Sequence, residues 1–150
     1  MSSLDVRTLV RNFIAANSAE TLVDLTGQYQ DFRKLMSDEG VQPDAPWLGL
    51  EFIGDSELPV SLHATNDKGQ YREIGRIVLH ICAVAKIGVG ASIESRADVL
   101  HKLFKGQRIG GVVVESIIPL NTGPGATLEF EGGYISGTMS IEYYYDSSPS

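Results

Sequence analysis

The spacing of apolar residues changes at Pro46, and that change limits the folds open to this chain. Ahead of it, Val6, Leu9, Val10, Phe13 and Ile14 recur at the intervals of one helical face, with Arg7, Arg11 and Asn12 on other faces. Beyond it the period is two. Leu48, Leu50 and Phe52 alternate with Gly49, Glu51 and Ile53, and Leu58, Val60, Leu62 and Ala64 alternate with Pro59, Ser61 and His63. A chain that passes from helical to strand periodicity, and returns to the helical one once, belongs to the α+β class.

The individual elements follow from the same patterns. The first helix is expected over roughly residues 4 to 16, with Ser3 as its cap. The stretch Glu20 to Pro46 has a weaker pattern that admits one short helix around Gln28 to Met36, and it reads as a connector or arm. Two strands follow, over 48–53 and 58–64. Pro59, which has no N–H for a ladder, assigns the second to a sheet edge or to a strand that carries the proline in its first residues. Asn66-Asp67-Lys68-Gly69 suits a tight hairpin, so a third strand should return antiparallel from Tyr71 to Lys86. It is the longest and is expected at the centre of the sheet. A second helix from Ala91 to Phe104 has Ser92 as candidate cap, Glu94 in its first turn, Lys102 and Lys105 in its last and Gly106 beyond. Its buried stripe is Ile93, Ala97, Leu100, Leu103 and Phe104. Val112 to Ile118 forms a fourth strand, and Asn121-Thr122-Gly123-Pro124-Gly125 an exposed loop. The closing strand places Ile135, Met139, Ile141, Tyr143 and Tyr145 on one face, ahead of a polar tail at 147–150. The expectation is a single domain over 1–150. It is α+β, with a mixed, mainly antiparallel sheet of about five strands packed by the N-terminal helix and a second helix.

Composition narrows the function. At 150 residues, 43% hydrophobic and 21% charged, the chain can bury a core without metal or disulfide staples. A net charge of −7 argues against a protein that holds nucleic acid by its phosphates. The single cysteine, Cys82, has no partner for an intramolecular disulfide, which fits a reducing cytoplasm. The N-terminal segment lacks the uninterrupted apolar run of a signal peptide, so export is not expected. The most apolar run, Ile77 to Ala85, is broken by His80 and is about half the ~20 residues that a membrane-spanning helix needs.

No residue pattern announces chemistry. His63, His80 and His101 lack the spacings that put two ligands on one metal. His80 and Cys82 share a strand face, the arrangement of a base and a thiol, but a buried structural cysteine is the better account. Gly133-Tyr134-Ile135-Ser136-Gly137 lies inside a strand and is no nucleophile elbow. Gly88-Val89-Gly90 precedes a helix without the third glycine of a dinucleotide site or the Lys-Ser/Thr of a phosphate loop, and reads as a hinge. Glu115, Glu129, Glu131 and Glu142 fit solvated strand faces. No catalytic, metal or cofactor-binding residue is expected. Tyr143-Tyr144-Tyr145 is a contact candidate, since tyrosine is favoured at protein interfaces.

Several local strings, taken in order, carry a resemblance. They are Pro46-Trp47-Leu48-Gly49-Leu50 opening a strand, a long strand with Arg72, Gly75-Arg76-Ile77-Val78-Leu79-His80-Ile81, the helix 91–104, a Val-rich strand, a Gly-rich loop, and the closing strand Gly133 to Asp146. Across Leu4 to Asp146 the chain resembles the tail terminator and minor tail protein family of long-tailed bacteriophages. The resemblance implies a structural virion protein without catalysis or cofactor. Such a protein assembles in the host cytoplasm as a hexameric ring at the head-proximal end of the tail tube, stops tube polymerisation and joins tail to head. Its partners would be itself, the tube protein and the head-tail connector proteins, with DNA only in transit through the lumen and no membrane; net negative charge suits such a lumen. The longer stretch 20–46 reads as an insertion or an arm to a neighbouring subunit. Asn66, Asp67, Lys68, Asn121, Thr122, Tyr143 and Tyr145 are the candidate contacts with tube or neighbour. Two other readings stand beside this one: a head completion adaptor of the same particle, and a small-molecule-binding α+β domain with a pocket between helices and sheet.

Overall fold

A computed structural model describes residues 4–26, 45–59, 71–84, 88–121, 128–130 and 134–147. In chain order the elements are α1 (Leu4–Asn17), β1 (Leu22–Asp24), β2 (Trp47–Pro59), β3 (Tyr71–Val84), α2 (Val89–Phe104), β4 (Arg108–Ile109), β5 (Val112–Asn121), β6 (Leu128–Phe130) and β7 (Tyr134–Ser147). The strands form one sheet in the order β1-β2-β3-β7-β5-β4, and β6 pairs with β7 off that path. β1 runs parallel to β2; the other pairings are antiparallel. The α+β class, the mainly antiparallel sheet and the central place of β3 all hold.

The strand count differs from five for identifiable reasons. β2 is one strand where the alternation suggests two, because a bulge between Gly54 and Ser56 reverses which side chains face the helices. Before it Leu48, Leu50 and Phe52 point to the core; after it Leu58 pairs with Arg72 on the other side and is 49% exposed. Three strands, β1, β4 and β6, are two or three residues long, too short to show a period. β1 also makes Leu22–Asp24 part of the sheet, inside what the sequence presents as a connector. Pro59 ends β2 on the half that β1 does not cover, in keeping with an edge position. Ser3, the short helix around 28–36, residues 60–64 and the turn at 66–69 lie outside the described residues, although the pairing of Pro59 with Tyr71 shows the antiparallel return.

α1 and α2 cover one face of the sheet. Val6, Val10 and Ile14 from α1 and Ile93, Ala97, Leu100 and Phe104 from α2 pack with Leu48, Leu50, Phe52, Ile77, Leu79, Ile81, Met139 and Ile141, all of them buried. Phe13 meets Phe104 edge to face, with ring centroids 5.7 Å apart. α2 starts earlier than Ser92 implies: Gly88, in the left-handed region at φ 84°, is its N-cap, and no side chain caps it. Ser92 instead lies within the first turn.

A single side chain fastens α2 to the end of the sheet where β2 begins. The guanidinium of Arg96 grips the Glu20 carboxylate at 2.8 and 2.6 Å and donates to the carbonyls of Cys82 at 2.8 Å and Trp47 at 3.0 Å. Both charged side chains are about 15% exposed. Removing the arginine leaves a mostly buried carboxylate and two carbonyls without these donors, so Arg96→Met is expected to lower the unfolding free energy in urea by about 3–5 kcal/mol. Arg96→Lys should recover little, because an ammonium cannot serve three acceptors with a planar fork.

A second constraint acts near the other end. Gly75 faces Tyr143 across the β3–β7 ladder, and a Cβ on it would lie 2.5 Å from the Ile53 carbonyl oxygen and 2.6 Å from the Tyr143 hydroxyl. Gly75→Ala should therefore destabilise by about 1–3 kcal/mol. Gly90→Ala, in the first turn of α2 where a Cβ meets nothing, should be neutral or stabilise by up to about 1 kcal/mol. Equal effects at the two sites would refute the packing account.

Candidate interaction surface

The sheet face turned away from the helices divides into two halves. At the end where β2 begins, Trp47, Cys82 and Ser136 are fully buried, with His80 and Leu25 nearly so. The Leu25 side chain lies so close over Gly49 that a Cβ there would come within 2.6 Å of it. The segment that delivers Leu25 is stitched to β2. Leu25 N–H donates to the Leu50 carbonyl at 2.8 Å, and Phe52 N–H to the Thr26 hydroxyl at 3.0 Å. Asp24 accepts from Arg7 at 2.8 Å and from the Thr26 N–H at 2.9 Å. Burial alone would push the Asp24 carboxyl up, but these donors together hold it below its ordinary value.

Among the described residues, no element covers the half toward the end of β7. Ile53, Ile74, Val78 and Tyr144 are half-buried, and Leu58 and Ile118 are 49% and 47% exposed. Charges of both signs lie among them. Arg72 donates to both carboxylate oxygens of Asp146, at 2.8 and 2.9 Å, while its guanidinium carbon sits 4.0 Å from the centre of the Tyr144 ring. The bond from Arg72 keeps Asp146 below the usual carboxylate range, and the same bond raises Arg72. Ser116 donates to Glu142 at 3.0 Å, and Arg76 approaches Asp55 at 3.9 Å. The half thus combines an aromatic with a stacked arginine, apolar side chains between, and charges already oriented by their neighbours.

The three tyrosines divide by strand alternation. Tyr143, a contact candidate in the sequence, is fully buried on the helix side, where its hydroxyl donates to Glu73 at 2.5 Å; it offers no surface. Tyr145 is half-buried and packs against the core, its ring beside Gly111. Tyr144 is the one that faces outward with Arg72. The triplet as a whole is a contact candidate in the sequence, and the alternation with Ile141 and Met139 assigns Tyr144 to the outer face. Asn121 ends β5 opposite Thr138, and Asn66, Asp67, Lys68 and Thr122 lie outside the described residues.

The arrangements weighed for chemistry have other uses. The Cys82 thiol donates to the His80 carbonyl at 3.4 Å, and burial drives its pKa far up, so it is held as a thiol rather than a nucleophilic thiolate. The His80 ring points to Glu51, Nε2 to Oε1 being 3.4 Å. Among the described residues no three His, Cys, Asp or Glu side chains are placed to hold a metal ion, and no helix is long and apolar enough to cross a membrane. Compared with known proteins, the chain matches no family model and no curated sequence.

His80 gives the fold a pH dependence of definite sign. Burial disfavours its charged form and Glu51 only partly offsets this, so the folded-state pKa lies below 6.5. Below that pH the unfolded chain takes up a proton that the folded one resists. Stability should be complete above pH 6.5 and fall as the pH drops beneath it. The contributions of Asp24 and Asp146 are lost only below their ordinary value of 3.8. Unfolding in urea at a series of pH values should show the upper limb in the parent chain and a flat response there in His80→Gln.

Proposed function

We propose that this chain is a structural subunit that works by self-assembly, and that its particle is the tail of a long-tailed bacteriophage. There it would be the tail terminator: a ring, hexameric by the resemblance, at the head-proximal end of the tail tube that stops polymerisation and joins tail to head. The observation that carries the assembly reading is the half-face toward the end of β7, where Arg72, Tyr144 and Asp146 stand at the outer end of the β3–β7 ladder and are organised in advance by it. The succession of sequence elements supports the finer reading. Leu79, Leu100, Phe104 and their buried neighbours fill the core between helices and sheet, and beside it a cleft of about 340 Å³ lies between α2 and the sheet, lined by Ala97, His101, Leu120 and Met139, the place a small-molecule-binding domain would use. A head-side adaptor would use the same assembly logic and differ in the tube it ignores.

The test is imaging of the purified protein by negative-stain electron microscopy, alone and with tail tubes. Closed six-fold rings with a central hole, capping one end of the tube, are expected. Tyr144→Ala should reduce capping at least about tenfold without changing the melting temperature, as truncating an aromatic anchor does. A protein that stays monomeric with and without tube ends would sink the reading, and rings that bind head connectors but never tubes would replace it with the adaptor.

A further inference from the structure

The two lateral edges of the sheet carry opposite charge at the same height. β1 covers β2 only at Leu48–Leu50; from Gly54 to Pro59 no described strand pairs with its outer side. Asp55, Glu57 and Leu58 are exposed there. The opposite edge is β4, with the end of α2 beside it; it exposes Lys102, Lys105 and Arg108, and next to them, where β5 runs on past β4, Glu115 is exposed as the one acid of this edge region among the described residues. The ladder fixes their relative level. Ser56 pairs with Ile74, Ile74 with Tyr144, Tyr144 with Val113 and Val113 with Arg108. The next row joins Glu57 to Glu73, Tyr145, Val112 and Ile109. An acidic edge and a basic edge therefore stand at the two ends of the same cross-strand rows.

We propose that these edges are the two halves of a head-to-tail contact between copies of this chain. Asp55 and Glu57 of one copy would face Lys105 and Arg108 of the next, with Leu58 as the apolar element between them. The inference rests on the self-assembly part of the proposed function and not on the phage. Two different patches meeting is a heterologous interface, which repeats from copy to copy and closes into a ring when its rotation divides the circle. The shared rows set how far along the strands each charged group stands, and the rotation from copy to copy also takes up the right-handed twist that accumulates between β2 and β4. Charge on a bare edge also guards against indiscriminate strand pairing. Opposite signs do this while leaving one pairing favoured: acidic edge repels acidic, basic repels basic, and only the head-to-tail contact attracts. The remaining local pairs leave this charge available. Lys102 is engaged with Asp98 at 2.9 Å on its own helix and Asp55 is only loosely held by Arg76, whereas Glu57 and Lys105 form no ion pair among the described residues.

The test is charge reversal read by sedimentation velocity and native mass spectrometry. Asp55→Lys/Glu57→Lys and Lys105→Glu/Arg108→Glu should each raise the concentration needed for assembly at least about tenfold, since like charges then oppose each other. The four-fold variant carrying both reversals should assemble like the parent, and so should an equimolar mixture of the two pair variants, because each restores one acidic and one basic edge at every contact. All four positions are exposed, and circular dichroism should show the folded chain throughout. If the parent assembles and both pair variants assemble as readily, the edges are not the contact and the self-assembly reading survives without them. Loss in both variants with no rescue by the mixture would also overturn the pairing. A parent chain that remains monomeric at every concentration, and with tube ends supplied, would remove both the contact and the function on which it rests.

Discussion

The pairing of β3 with β7 governs the molecule. It runs without a break from Tyr71 opposite Ser147 to Val84 opposite Tyr134, through the middle of the sheet. Because side chains alternate, a slip of one residue would exchange the two faces along the whole length, moving Leu79 and Ile81 into solvent and Arg76 and His80 under the helices. The register is held by shape as well as by hydrophobicity. Tyr143 lies over Gly75, the position where a side chain would strike both the tyrosine and the Ile53 carbonyl, and its hydroxyl reaches Glu73 one pleat away. Only one alignment sets the glycine under the ring. From that alignment come the buried helix-facing side, the outward Tyr144 and the level rows that end at Ser56 and Arg108.

The two ends of the sheet have different duties. At the end where β2 starts, Arg96 ties α2, Glu20, Trp47 and the last turn of β3 together, and Leu25 and Trp47 shield the second face. Stability is concentrated there and in the core above it. At the other end the second face is bare of any described element and is lined with oriented polar groups. The Arg72–Asp146 pair, with side chains about a third exposed and screened by solvent, adds little to the stability of the folded state. Its two hydrogen bonds and the stacked tyrosine do more to fix a shape than to hold the fold, which is what the proposed assembly would require of this surface.

Sequence periodicity revealed what depends on neighbours a few residues apart. The α1 face from Val6 to Ile14, the α2 stripe and the alternation of β3 and β7 were legible, because a single repeat of 3.6 or 2 decides each. What depends on a change of phase was not: the bulge at Gly54 and Ser56 presents the same residues as a broken strand, since its effect on direction lies in backbone pairing and not in residue type. The Arg96 clamp was equally hidden. Its partners lie at Glu20, Trp47 and Cys82, and one arginine within an amphipathic helix gives no sign of reaching three distant segments. The tyrosine triplet shows a third case, where the pattern holds the answer: Tyr143 shares the parity of Met139 and Ile141 and is fully buried, whereas the interface propensity of tyrosine does not tell the three apart.

The absence of local chemical motifs takes on meaning beside that division of labour. Among the described residues, polar groups line the sheet half toward the end of β7 and its two edges, and a second set, Glu94, Asp98 and His101, borders the cleft between α2 and the sheet. His80 and Cys82, the pair nearest to a reactive arrangement, sit instead under the shielded half, where burial keeps the thiol protonated and the imidazole neutral. Groups so placed serve packing, and they couple the fold to pH through His80. The half toward the end of β7 carries Arg72, Arg76, Glu142 and Asp146, each at least partly exposed, in balanced signs and on one ladder. Balanced, fixed charge on a broad surface is suited to selecting a macromolecular partner by pattern, because every misaligned pairing brings like charges together. The division between a sealed half and an open one is thus the physical basis for reading this fold as a subunit of an assembly.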